Sequence, residues 1–224
     1  AGLTATVHAT EGMGGSQYQC ITAHDIDLQG SAVGGLSDAT LKIHLTGGSL
    51  KVLAAVDIGI RSVGGPINVA SIICGEGGAR IEVPDTARDD DDIVFGAGAL
   101  MYVESLASLK AGDHLLLDPT ASIRAGLVVI ELDAATVDPD PGRGVEFTFD
   151  CSYFVPQFTF ASIQWITLNT GADADVLHVV STISDQALYL NTGAGNDTVT
   201  LGAANSIADI WGAAAYDGGA GDDL

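Results

Sequence analysis

Between Ile166 and Leu224 the chain spells nearly the same turn three times: Asn169-Thr170-Gly171-Ala172-Asp173-Ala174-Asp175, Asn191-Thr192-Gly193-Ala194-Gly195-Asn196-Asp197 and Asp217-Gly218-Gly219-Ala220-Gly221-Asp222-Asp223. The copies are spaced by 22 and 26 residues. The first two are entered from short alternating apolar runs, Trp165-Ile166-Thr167-Leu168 and Ala187-Leu188-Tyr189-Leu190, and leave into Val176–Val180 and Thr198–Leu201. A two-residue period rich in β-branched residues, broken by Gly-rich turns every twenty-odd residues, predicts a coiled parallel sheet. A helix needs a period of 3.6, and each turn glycine would cost it about 1 kcal/mol relative to Ala. Glycine suits the turns because they need positive φ and close backbone stacking. The segment therefore reads as three coils of a β-solenoid.

Other signals extend this reading upstream. Gly-Gly pairs at 34–35, 47–48, 64–65 and 77–78 separate short β runs such as Leu41–Leu45 and Leu50–Leu53, and read as corners of the same winding sheet. Hydrophobic residues make up 47% of the chain and aromatics only 6%, which suits a narrow interior of Val, Ile, Leu and Ala. The predicted class is all-β, a mainly parallel β-solenoid. Larger coils with loops are expected over residues 1–165 and Gly/Asp-turn coils over 166–224, in one rod-like unit. A helical turn or two is expected from Val103 to Leu109, and buried strands at Leu115–Leu117 and Leu127–Ile130. A Pro-containing loop is expected to project at Thr136–Gly144.

The turns resemble the Gly/Asp-rich calcium-binding repeats of secreted RTX-type proteins, whose pattern is G-G-x-G-x-D-x-U-x. Thr192–Thr200 fits at every specified position but the first, Gly218–Asp223 fits as far as the chain goes, and the copy at Thr170 departs twice. That family repeats every nine residues, so the wider spacing here is closer to the β-strand-repeat arrays of large secreted or surface proteins. The resemblance implies an extracellular or cell-surface location and calcium as ligand.

Stacking would bring Asp175, Asp197 and Asp223 into one column, flanked by Asp173, Asn196 and Asp222. Carboxylates and turn carbonyls supply the oxygen ligands calcium prefers, and a cation would turn their repulsion into cross-linking. The alternative is an Asn/Asp ladder whose side chains cap backbone groups. Asn196-Asp197-Thr198 is also a sequon for N-linked glycan.

The formal charge of −21 argues against a nucleic-acid partner. No apolar run approaches the length of a membrane span. His8, His24, His44, His114 and His178 show no metal spacing, the bases Arg61, Arg80, Arg88, Arg124 and Arg143 are scattered, and no nucleophile elbow occurs, so no enzyme is expected. Cys20, Cys74 and Cys151 could form one bridge and one free thiol, or act as small buried apolar residues. The chain lacks an initiator Met and breaks off within a turn motif, as a mature chain or internal piece would. The expected role is a structural module of a surface fibre or adhesin-like array, self-associating head to tail. The alternatives are a calcium-dependent module binding glycans through loops around Asp89 and Asp138, and a polysaccharide lyase or hydrolase.

Overall fold

The computed structural model describes residues 2–9, 12–13, 20–36, 40–87, 90–133, 144–150, 164–202 and 206–224. Among them regular structure consists of strands alone, and every pairing between strands is parallel. In chain order the first strands are β1 (Thr4–His8), β2 (Cys20–Ala23), β3 (Asp25–Gly30), β4 (Leu41–Leu45), β5 (Leu50–Ala54), β6 (Ile58–Ser62), β7 (Ile67–Cys74), β8 (Ala79–Glu82) and β9 (Ile93–Val103). They are followed by β10 (Leu106–Ala111), β11 (Leu115–Leu117), β12 (Ser122–Arg124), β13 (Leu127–Leu132) and β14 (Glu146–Asp150). The last are β15 (Gln164–Asn169), β16 (Val176–Ser181), β17 (Gln186–Asn191), β18 (Thr198–Leu201) and β19 (Ala213–Asp217).

Successive strands alternate between faces. One sheet runs β1-β3-β5-β7-β9-β11, with β12 also on β9; a nine-stranded sheet runs β19-β17-β15-β13-β10-β8-β6-β4-β2; and β14-β16-β18 form a third. This is the β-solenoid the sequence predicts. A strand that crosses to the opposite face and returns one rung along pairs parallel with its predecessor, and the chain winds instead of folding back.

The pleat supplies the core. In β4 (Leu-Lys-Ile-His-Leu) and β5 (Leu-Lys-Val-Leu-Ala) every second residue is buried. Stacked rows of Leu28, Ile43, Val52, Ile60, Ile72, Ile81, Met101 and Leu109 are almost fully excluded from water. The Gly-Gly pairs stand at corners as expected: Gly34, Gly47 and Gly65 have φ of 68°, 113° and 73°. The nine-stranded sheet's outer face carries an axial row in which Lys42, Arg61, Glu82, Lys110 and Glu131 lie in register. Glu82 takes Arg61 at 3.0 Å and Arg80 at 3.1 Å, and Lys110 takes Glu131 at 3.4 Å.

One expectation is corrected. Residues 103–109 form no helical turn: β9 ends at Val103 and β10 starts at Leu106, because Leu106, Ser108 and Lys110 alternate with the buried Ala107, Leu109 and Ala111. Coil length is uneven along the chain. Residues stacked on one another lie 24 apart at Asp25 and Ser49 and 21 apart at Asp57 and Gly78, but 30 apart at Val145 and Asp175 and 26 apart at Asp197 and Asp223. Coil length follows what bulges between strands, whereas double glycines mark only where the chain bends. The expected Pro-containing loop lies outside the described residues, apart from its last residue, Gly144.

Candidate functional site

The most distinctive local chemistry lies where the chain leaves the nine-stranded sheet for the opposite face. The turns before β16 and β18, and the one after β19, stack directly. Asn169, Asn191 and Asp217 are in register, and the aspartates six residues further on form a ladder. Asp175 Oδ1 accepts the Val145 N–H at 2.6 Å, Asp197 Oδ1 accepts the Asp175 N–H at 2.9 Å, and Asp223 Oδ1 accepts the Asp197 N–H at 3.1 Å. Each carboxylate thus reaches back one coil, to the amide of the preceding aspartate in the last two rungs. Hydrogen bonds of this charge-assisted type contribute about 1.5–3 kcal/mol each.

Local sequence sets the geometry. Asn191 and Asp217 each accept the N–H two residues on, from Gly193 at 3.2 Å and Gly219 at 3.0 Å, closing Asx turns whose glycines have φ of 77° and 68°. A Cβ on Gly193 would lie 2.0 Å from the Gly171 carbonyl oxygen, and one on Gly219 would lie 1.6 Å from that of Gly193. The coils touch there backbone to backbone, so both left-handed φ and a missing side chain are required. Five residues before the aspartate, Thr170 Oγ1 donates to Asp175 Oδ2 at 2.5 Å. Thr192 stands five before Asp197 but lies instead 3.4 Å from the Gly218 carbonyl and 3.5 Å from the Tyr216 hydroxyl. Asp197 Oδ2 is consequently buried without a hydrogen-bond partner.

Electrostatics agree with this burial. Asp175 is fully excluded from water and Asp197 is 1% exposed. Burial raises the Asp175 carboxyl above its ordinary value, the Thr170 and Val145 donors offset part of the shift, and the Asp197 charge adds to it.

Of the residues expected as calcium ligands, Asp175, Asp197 and Asp223 share the predicted column. Asn196 and Asp222 are also stacked, Asn196 Oδ1 accepting the Asp222 N–H at 3.0 Å. Asp173 stands apart from that pair: its carbonyl lies under Gly195, one position out of step with Asn196. The ladder oxygens largely face N–H and O–H donors, the arrangement of the capping alternative. Among the described residues no three acidic, His or Cys side chains converge to hold a metal ion. Asn196 of the sequon is exposed.

Other stretches of the same corner were not foreseen. Before β9 and β11, Asp113 Oδ2 accepts the Asp91 N–H at 2.9 Å, Asp92 Oδ1 accepts the His114 N–H at 3.0 Å, and Thr86 donates to Asp91 at 2.5 Å. Asp25 accepts the Ser49 N–H at 2.9 Å before β3 and β5. The readable signal was Thr-x-x-x-x-Asp, shared by Thr86–Asp91, Thr170–Asp175 and Thr192–Asp197. Cys20 is exposed and Cys74 buried, both as free thiols; Cys74 points at the Val56 carbonyl. Cys151 and the glycan-loop residues Asp89 and Asp138 lie outside the described residues. No helix among the described residues is long and apolar enough to cross a membrane.

Fold and corner together define a parallel β-solenoid with a buried aspartate ladder. No family model matches the chain, and neither the curated proteins nor the solved structures yield a significant match.

Proposed function

We propose that this chain is a non-enzymatic, extracellular structural module, a length of solenoid that stacks end to end with further coils in a surface fibre or adhesin-like array. One observation carries the reading. In β19, Ala214 and Tyr216 pair with Leu188 and Leu190, which are 1% and 2% exposed, yet all five residues of β19 are exposed. A further coil, continuous with this chain or supplied by another copy, would cover those inward-facing positions and the free edge of β19. An edge of this kind templates another strand. At the opposite end Val7 pairs with the fully buried Leu28 and packs only partly against the core.

Cohesion in this reading comes from backbone ladders along the axis and from the aspartates that tie turn to turn. Calcium is an addition at the exposed rim around Asp222 and not the element that holds the column, because backbone donors already occupy an oxygen of each ladder carboxylate. Electron microscopy and fibre diffraction of the purified chain should show filaments with a strand repeat of about 4.8 Å along the axis. Ala214→Glu, which sets a charge on the inward-facing row of β19 where a further coil would stack, should abolish them. Monodisperse wild-type monomers at high concentration would contradict the proposal.

A further inference from the structure

On the outer face of the nine-stranded sheet, the character of the axial row changes between β13 and β15. The charges of Lys42, Arg61, Glu82, Lys110 and Glu131 give way in the same register to the amides of Asn169 and Asn191, with Asp217 on the rung beyond. Beside these amides the outward positions carry Trp165 on β15 and Tyr189 on β17, 47% and 49% exposed. Their rings are stacked, with centroids 6.1 Å apart and planes at 17°. On the next rung the positions facing the rings are alanines: Ala213 pairs with Ala187, and Ala215 pairs with Tyr189. The missing bulk leaves an open hollow of about 630 Å³ against the Tyr189 ring, bounded by Leu127, Asn191, Tyr216 and Asp217.

The geometry points to this hollow as a binding site for a neutral polysaccharide chain, a site on the side of the rod that goes beyond the end-to-end stacking proposed above. An aromatic face carries negative quadrupole charge and attracts the slightly positive axial C–H groups of a pyranose ring, while the hydroxyls at its rim need hydrogen-bonding partners. Both parts are present. The Asn191 Oδ1 is taken by the Gly193 N–H, which leaves its amide N–H₂ as a donor, and the Asp217 Oδ1 is taken by Gly219, which leaves Oδ2 as an acceptor. The volume lies within the roughly 300–1,000 Å³ typical of ligand sites. Two rings and a leucine fall well short of the roughly 800 Å² per partner of a stable protein interface. The charge of −21, with Glu131 and Asp217 at the two ends of the amide row, repels polyanions and selects an uncharged chain.

The test is calorimetric titration of the whole chain with neutral hexasaccharides of β-1,4-glucan, β-1,4-mannan and β-1,4-linked N-acetylglucosamine, with hexagalacturonate as the anionic comparison. At least one neutral hexasaccharide should bind and shift tryptophan emission. Trp165→Ala and Tyr189→Ala should each weaken binding about tenfold or more, the loss of one stacking partner. Trp211→Ala, at an exposed tryptophan that does not line the hollow, should leave affinity unchanged, and Trp165→Tyr should retain it, which separates lost stacking from lost folding. The proposal is overturned if no neutral hexasaccharide binds at about 1 mM, if hexagalacturonate binds best, or if Trp165→Ala binds as wild type. It is equally overturned if the same substitution instead abolishes side-by-side self-association in sedimentation.

Discussion

Asp175 is a charged residue enclosed in protein, with Asp197 stacked on it as the next rung. Burial raises its carboxyl, and does the same for Asp92 and Asp113 at the corner nearer the N-terminus. A carboxyl whose folded value exceeds its unfolded value holds a proton in the folded chain that the unfolded chain has already lost. Stability from these three groups is therefore lost as pH rises from the ordinary value of 3.8 through each folded value. Asp25 is lowered, chiefly by the Ser49 N–H, so its contribution is present above 3.8 and is lost as pH falls through its folded value. Thermal melts across pH 3 to 8 should show greatest stability near the ordinary carboxylate value of 3.8 and a decline as pH rises above it. Asp175→Asn keeps an acceptor for the Val145 N–H while removing the buried charge. It should be neutral or stabilising at pH 7 and should flatten the decline, whereas Asp175→Ala, which orphans that N–H, should cost about 1–3 kcal/mol. Destabilisation by both to the same extent would show that charge, not hydrogen bonding, is what the column needs. Glycine can be tested the same way. Gly193→Ala meets a carbonyl at 2.0 Å with φ of 77° and should cost more than about 2 kcal/mol, while Gly96→Ala, with nothing within 4 Å, should change little.

At the scale of the element, each strand is held by its apolar alternation and by the strands on either side. Leu28→Ala in β3, at a fully buried position, should cost about 2–5 kcal/mol by chemical denaturation. The same alternation is why the strands were legible: Leu41–Leu45, Leu50–Leu53 and Trp165–Leu168 each announce an inner and an outer face, and the Asn-Thr-Gly turns announce where the chain bends. What was not legible has physical causes. Val103–Leu109 carries apolar residues at spacings a helix also uses, and the neighbouring parallel strands, not local propensity, decide its state. The rungs at Asp91–Asp113 and Asp25–Ser49 were hidden because their turns do not repeat the Asn-Thr-Gly-Ala spelling of the later ones; only the partner one coil away makes the carboxylate a cap. The direction of the column was readable, but its chemistry was not. A sequence that places aspartates in register is equally consistent with a cation between them and with amides beneath them, and the difference lies in which atoms face the oxygens.

The whole molecule is a solenoid whose coils are linked at one corner by aspartates and whose strand β19 has exposed inward-facing positions. Millimolar calcium should raise the melting temperature only slightly over chelator, since the ladder carboxylates already accept backbone donors; a rise of about 10 °C would return the column to a cation. The most direct measurement is amide hydrogen exchange by NMR at Val145, Asp175 and Asp197 in the wild type and in Asp197→Ala. The account predicts protection of all three amides in the wild type, with Asp175 losing at least about tenfold of its protection in the variant while His114, on the rung made by Asp92, is unchanged. Exchange of the Asp175 amide at the rate of an open turn in the wild type, or protection indifferent to the loss of Asp197, would contradict it.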